Sequence, residues 1–174
     1  IFMEVVPCRV IGITGSAGKT TTTTLVGRIA QKAVEMKADA GPGFCPSRVW
    51  VGGNIGYPLI ADLQKMQEND LVIMELSSFQ LEQMTLAPQV GAVLNITPNH
   101  LDRHATMQAY VDAKARLVEN PVIGQVDGPC ATVLGCEDAQ TWALRGRSLG
   151  SSVQPRRIWT FAHSLDDRRY PGAF

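Results

Sequence analysis

The sequence predicts an α/β fold built on a mostly parallel sheet with helices on both faces. Three observations carry that prediction. Short apolar or β-branched runs alternate with stretches of helical spacing, the pattern of βαβ units. The first clear unit reads strand, glycine loop, helix, which is how such a unit opens. The length of 174 residues suits one domain with a sizeable core, and an apolar share of 45% is ordinary for a globular protein.

The elements follow in chain order. Residues 9–13 (RVIGI) form a β-branched strand, and residues 14–18 (TGSAG) a small-residue loop. From Lys19, the spacing of Leu25, Val26, Ile29, Ala30 and Ala33 predicts a helix. Residues 36–48 hold Gly41, Pro42, Gly43 and Pro46 and read as a loop. Residues 49–51 form a second strand ending at Gly52 and Gly53. Pro58 opens a helix expected to run to about Gln67. After a turn at Asn69 and Asp70, residues 71–74 (LVIM) are a continuous apolar strand that stops at Glu75. Residues 90–96 read as another buried strand, and 106–119 as a helix. Beyond Asn120 the pattern gives strands at 131–134 and 158–161, one short helix near 138–144, and an end at residues 170–174 without a closing element.

Composition removes several classes of function. Lys plus Arg is 16 and Asp plus Glu is 16, so the formal net charge is zero. That balance lacks the footprint of a bulk nucleic-acid or polybasic membrane binder, though it leaves room for a local basic site. No apolar run approaches the roughly 18 residues of a membrane span. Residues 1–7 contain Glu4 and lack a basic flank, so they do not read as a signal peptide. Cys8, Cys45, Cys130 and Cys136 match no zinc or haem spacing and read as reduced thiols of a cytoplasmic protein.

The glycine loop is the sharpest chemical signal. Backbone N–H groups of Gly15, Ser16, Ala17 and Gly18, with a helix N-terminus behind them, form a cradle for phosphate. Lys19 would reach the β- and γ-phosphates, and Thr20 would place a hydroxyl on Mg²⁺. The strict pattern G-x-x-x-x-G-K-[ST] fails because Ile13 stands where its first glycine belongs and Gly12 lies one position early. The core T-G-S-A-G-K-T survives, which makes the fold a P-loop type. Glu75, at the end of an apolar strand, sits on the sheet edge that faces ligands in open α/β sheets and would hold Mg²⁺. The stretch 98–104 (PNHLDRH) packs His100, Asp102, Arg103 and His104 after a strand end and suggests metal and phosphate contacts. A polar capping loop is the plain alternative. Lys114 lies between Ala113 and Ala115, which leave room around its amine. On sequence pattern alone it reads as a surface lysine of an amphipathic helix. Residues 52–56 (GGNIG) form a third loop at a strand end, where Asn54 can both donate and accept.

Five ordered blocks, residues 13–24 (ITGSAGKTTTTT), 51–58 (VGGNIGYP), 74–82 (MELSSFQLE), 94–104 (LNITPNHLDRH) and 110–117 (YVDAKARL), resemble the Mur ligases, the ATP-dependent amino-acid-adding enzymes of peptidoglycan synthesis. The ELSSFQLE and GGNIG blocks are closest to the D-glutamate-adding branch. The close resemblance spans residues 8–120. It implies the central ATPase domain of a three-domain enzyme, with 1–174 forming that one domain. The UDP-sugar domain would precede residues 1–7 and a third domain would follow near Phe174.

The resemblance also implies roles. Gly15, Ser16, Ala17, Gly18, Lys19, Thr20 and Thr21 would bind ATP. Thr20 and Glu75 would hold one Mg²⁺, and His100 a second. Lys114 matches the lysine that is carbamylated in the family, and its carbamate would act as a further metal ligand. Asn54, Ser77 and Gln80 match positions that contact the UDP-sugar peptide. Lys19, Lys114 and His100 are the implied catalytic residues. The implied partners are UDP-N-acetylmuramoyl-L-alanine and D-glutamate, joined through an acyl phosphate, with neither nucleic acid nor membrane involved. Ala17 stands where relatives often have Asn, and residues 135–138 (GCED) stand where the family has an Asn-x-Asp-Asp run whose Asn helps hold adenine. Gly135 has no side chain to do so. The competing readings are a different Mur or folylpolyglutamate-type ligase, and a nucleotide-binding module that ligates nothing.

Overall fold

The computed structural model describes residues 1–36, 46–54, 56, 58–124, 130–150 and 156–162. A short helix α1 (Phe2–Val5) leads into β1 (Arg9–Thr14), the glycine loop and α2 (Lys19–Glu35). There follow β2 (Val49–Gly53), a 3₁₀ helix (Leu59–Lys65), β3 (Leu71–Glu75) and α3 (Ser78–Glu82). Next come β4 (Val90–Val93), α4 (Leu101–His104) and α5 (Met107–Glu119). The described chain closes with β5 (Ala131–Gly135), α6 (Ala139–Gly150) and β6 (Arg157–Phe161).

The strands form one sheet in the order β2-β3-β1-β4-β5-β6, every described pairing parallel. Alternation along each strand divides its side chains between two faces. Val10, Val72, Met74, Val93 and Leu134 enter the larger core with Leu81, Tyr110, Val111, Leu117, Val118 and Leu144. Ile13, Leu71, Ile73 and Ala92 enter a smaller core on the other face, against Val26 and Ala30 of α2. Both faces of the central strands are covered, which explains why their sequences are continuous apolar runs. The connection from β1 runs out to edge strand β2, whereas β4 lies on β1's other side. The switch point of the topology is therefore at the C-terminal end of β1, where open α/β sheets bind ligands.

Several expectations are corrected. The segment after Pro58 is a 3₁₀ helix with Ala61 N–H bonded to the Pro58 carbonyl and Met66 N–H to that of Leu63. The strand expected over 90–96 stops at Val93 because Asn95 turns its carbonyl to the Ser16 N–H of the glycine loop. The last helix is longer than expected. Asp138 starts it by accepting from the Thr141 N–H (2.7 Å) and the Thr141 hydroxyl (2.8 Å). Leu25 and Ile29, two of the apolar residues whose spacing predicts α2, are exposed. The helix instead approaches the sheet at Gly27, where a Cβ would stand 2.8 Å from Val51. Most of the expected loop after Met36, Cys45 included, and the tail 170–174 lie outside the described residues. Cys8, Cys130 and Cys136 are free thiols.

Candidate functional site

The phosphate loop owes its shape to β1 and to the exit of β4. Gly18, at the N-terminus of α2, has φ of 81°, a left-handed conformation that favours glycine. Asn95 grips the loop from the side: its Oδ1 accepts from Ala17 N–H (2.9 Å) and its Nδ2 donates to the Ala17 carbonyl (3.1 Å). Ser16 Oγ donates to the Thr97 carbonyl (2.9 Å) and accepts from Thr97 N–H (2.9 Å). Its single proton being used, the Tyr110 hydroxyl, 3.1 Å away, is the donor in their contact.

Two ammonium groups converge on this loop. Lys19 folds back to donate to the carbonyls of Gly15 (3.0 Å) and Ser16 (3.3 Å). Lys114 donates to the same Gly15 carbonyl (3.0 Å) and to Thr14 Oγ1 (3.2 Å), and its ammonium lies 4.7 Å from the centre of the Tyr110 ring. Lys114 is 1% exposed, so the surface-lysine alternative is wrong. Burial first, then the charge of Lys19, pulls its pKa from 10.5 down to about 7. No ion pair holds either lysine among the described residues. Two cations and a helix N-terminus at one carbonyl make a site for an anion with several negative charges.

Beside the cations sits an oxygen-rich edge. Glu75 ends β3, is 2% exposed, and accepts from Thr20 Oγ1 (2.8 Å) on one oxygen and from Asn54 Nδ2 (3.0 Å) on the other. A carboxylate touching a hydroxyl, next to a phosphate cradle, fits Mg²⁺, which takes few protein ligands and completes its shell from phosphate and water. No group of three or more His, Cys, Asp or Glu forms a metal cage among the described residues.

The remaining expected residues fall as follows. Thr21 lies exposed in the first turn of α2. Ser77 and Gln80 form the capping box of α3: Gln80 N–H donates to Ser77 Oγ, and Ser77 N–H to Gln80 Oε1 (2.9 Å). His100 is exposed, has φ of 53°, and meets the Phe79 ring edge-on with centroids 5.6 Å apart. Thus the loop residues, Thr20, Glu75, Asn54 and Lys114 are joined by direct bonds, and Ser77 with Gln80 by their cap. His100 is tied to α3 rather than to Glu75.

Sequence reasoning missed the grip of Asn95 and the wall of a neighbouring cavity. That cavity, about 410 Å³, is lined by Ala17, Gly18, Leu94, Asn95, Gly135 and Phe161, among others. Gly135 lets β5 approach β4: a Cβ there would stand 2.0 Å from the Leu94 carbonyl oxygen. The signal available for Asn95 was an amide side chain at a strand end facing the glycine loop.

Fold and loop together define a phosphate-loop α/β domain with two ammonium groups gathered at the sheet's C-terminal edge. The family model of the Mur ligase middle domain matches residues 13–152, and the chain belongs to the Mur ligase family. Among curated relatives, the UDP-N-acetylmuramoylalanine--D-glutamate ligase of Clostridium botulinum strain 657 is 37% identical over 173 residues, 99% of this chain and 32% of that protein. The enzyme of the same name from the Langeland strain is 46% identical over 172 residues, with the same coverage. That of Pelotomaculum thermopropionicum is 44% identical over 137 residues, 78% of this chain and 26% of the relative. The chain thus spans about a third of the length of the first relatives it matches. Among solved structures, MurF from Acinetobacter baumannii superposes with a TM-score of 0.59 at 20% identity, covering 91% of this chain and 32% of its own. MurF ligase from Thermotoga maritima, solved in complex with ADP, gives 0.56 at 20% identity, covering 88% of this chain and 32% of its own. No helix among the described residues is long and apolar enough to cross a membrane.

Proposed function

We propose that this chain is the ATP-binding middle third of a cytoplasmic ligase that joins D-glutamate to UDP-N-acetylmuramoyl-L-alanine. In this reading a UDP-sugar-binding segment precedes it and a third segment, sharing ATP and amino acid, follows it. One observation carries the reading. The Gly15 carbonyl lies under the ammonium groups of both Lys19 and Lys114, beside the Thr20 and Glu75 oxygens, at the topological switch point. The relatives named above support the choice of acceptor and amino acid, and the cavity bounded by Gly135 and Phe161 gives a nucleoside room beside the loop.

The residues divide the work. Lys19 and the N–H groups of the loop bind and orient a triphosphate. Thr20 and Glu75 hold Mg²⁺, and His100 serves a second ion. When bound, these ions offset the repulsion between a substrate carboxylate and a triphosphate. Lys114, with an amine pKa of about 7, has a substantial neutral fraction at physiological pH. Its lone pair can attack CO₂ and, on losing a proton, leave a carbamate, a hard anionic ligand like a carboxylate. Asn54, Ser77 and Gln80 would contact the acceptor. Asn54 meanwhile keeps Glu75 oriented, and that bond exchanges with the acceptor contact.

Titration calorimetry of Mg-ATP into the chain, with Lys19→Ala alongside, tests the reading. Binding that vanishes in the variant is expected. Equal binding in both overturns the role of the loop, and binding in neither overturns this chain as a self-sufficient nucleotide site.

A further inference from the structure

A second polar cluster, beyond the Tyr110 ring from Lys114, joins α4 to α3 through His104. His104 has a side chain only 1% exposed. Its Nδ1 lies 3.0 Å from Glu82 Oε1, and its Nε2 lies 2.8 Å from Ser78 Oγ. A carboxylate only accepts, so Nδ1 carries the proton, and in the neutral ring Nε2 then accepts from the Ser78 hydroxyl. Ser78 and Glu82 are the first and last residues of α3, so one imidazole bonds both ends of that helix. The same ring stacks on Phe79 (5.1 Å, 7°), which also receives His100 edge-on and the Arg103 guanidinium at 5.3 Å. The order hydroxyl, imidazole, carboxylate is that of a nucleophilic triad. Ser78 is 3% exposed, however, and the ring is walled in by Phe79 and Tyr110. No substrate carbonyl reaches that oxygen, so the cluster is a lock.

The lock has something to restrain. Two non-glycine residues with positive φ bracket α4: His100 at 53° and Ala105 at 59°. Left-handed backbone at an alanine is strained and persists only where its surroundings hold it. The four-residue α4 is held by the bonds of His104 to α3 and by its packing on α5, where the His104 ring meets Tyr110. We propose that His104 is a positioning residue that fastens α3, with Ser77 and Gln80, and the His100 turn into one block, so that acceptor contacts and the His100 ring keep a fixed separation. The geometry of the lock stands alone; its consequence for the acceptor rests on the function proposed above.

The test has two arms. In the 174-residue chain, long-range ¹H–¹⁵N spectra read the His104 tautomer, and amide exchange is followed at Leu81 and His104. The expected signature is a proton on Nδ1. His104→Phe keeps the stack on Phe79 but removes both bonds. It is expected to speed exchange in α3 and α4 together by about tenfold, the scale of one lost hydrogen bond, while β1 and β3 stay unchanged. Unchanged exchange in either helix, or a ring protonated at Nε2 alone, overturns the lock. If His104→Phe does not fold, Ser78→Ala and Glu82→Ala each delete one bond, and both must loosen both helices. In the complete ligase, His104→Phe is expected to raise KM for the UDP-sugar acceptor about tenfold with KM for ATP little changed, and His104→Asn, which restores a donor to Glu82, to recover part of it. A kcat loss with unchanged acceptor KM overturns the positioning role. An inactive wild-type ligase refutes the proposed function instead, and leaves the first arm to decide the lock.

Discussion

Lys114→Met removes one charge from the interior and keeps an unbranched stem, so its effect on stability can be worked from the structure. Folding lowers the amine's pKa from 10.5 to about 7. Between those values the unfolded chain binds more protons than the native one, so stability rises with pH across that window. Below it both states are protonated and the native state carries the whole cost, about 4–5 kcal/mol at about 1.4 kcal/mol per unit. Integrated over the window, the wild type should gain about 2 kcal/mol between about pH 6 and about pH 8.5. Methionine has no proton to lose, and neither former partner is orphaned: Gly15 keeps Lys19, and Thr14 keeps its bond to the Leu76 carbonyl (2.7 Å). The variant should be more stable by about 2–4 kcal/mol at about pH 6, with the difference shrinking as pH rises. Urea unfolding followed by tryptophan fluorescence, in bicarbonate-free buffer so that Lys114 stays an amine, reads this out. Burial raises the Cys8 thiol to about 11, which lowers stability above about pH 9, but this is common to both proteins and cancels in the difference. A difference that is flat across the window, or a variant less stable at about pH 6, refutes the claim that Lys114 is a buried, destabilising cation.

Three further outcomes are expected. Glu75→Gln should abolish the tightening of ATP binding by Mg²⁺ while leaving Mg²⁺-free binding intact, as calorimetry with and without the ion will show. Asp138→Ala frees the Thr141 N–H and the Ile96 N–H (3.1 Å from Oδ2), and should cost about 1–2 kcal/mol in urea unfolding. Gly135→Ala drives a Cβ into the Leu94 carbonyl and should cost about 1–3 kcal/mol and weaken ATP binding through the cavity wall; wild-type stability would show that β5 can move away.

What could be read from sequence depended on the length and regularity of each signal. β1 and β3 are buried on both faces, so their apolar runs are unbroken and stood out. α3 was passed over because five residues complete no apolar period, although its cap pair Ser77 and Gln80 has the capping-box spacing. Lys114 shows the opposite failure. With Tyr110, Val111, Leu117 and Val118 buried on α5, position 114 falls on the apolar stripe by three-and-four spacing. The residue's charge outweighed its position in the reading, and the position was right. The exposed Leu25 and Ile29 reflect packing that Gly27 redirects, which periodicity cannot report. The loop residues lie next to one another in sequence and were legible as a motif. The bonds of Thr20 and Asn54 to Glu75 span 55 and 21 residues and needed the sheet to bring them together.

The unfavourable features of this molecule are concentrated in one region. Two ammonium groups share a carbonyl, one of them buried, and two residues flanking α4 have positive φ. Among the described residues, the sheet and its two cores show no comparable conflict. No carboxylate pairs with Lys114 among the described residues; its bonds go to Thr14 and to the Gly15 carbonyl. The repulsion between Lys19 and Lys114 is relieved when negative charge arrives at the loop or when Lys114 loses its proton. Anion binding is then coupled to the proton on Lys114: a bound polyphosphate favours the ammonium, and a carbamate on Lys114 removes the cation altogether. The free-energy cost of holding two ammonium groups at the loop is therefore returned on binding, and the chain's unfolding midpoint should rise with Mg-ATP by more in the wild type than in Lys114→Met. Equal rises would mean that Lys114 contributes nothing to the field at the loop, and that its burial serves packing alone.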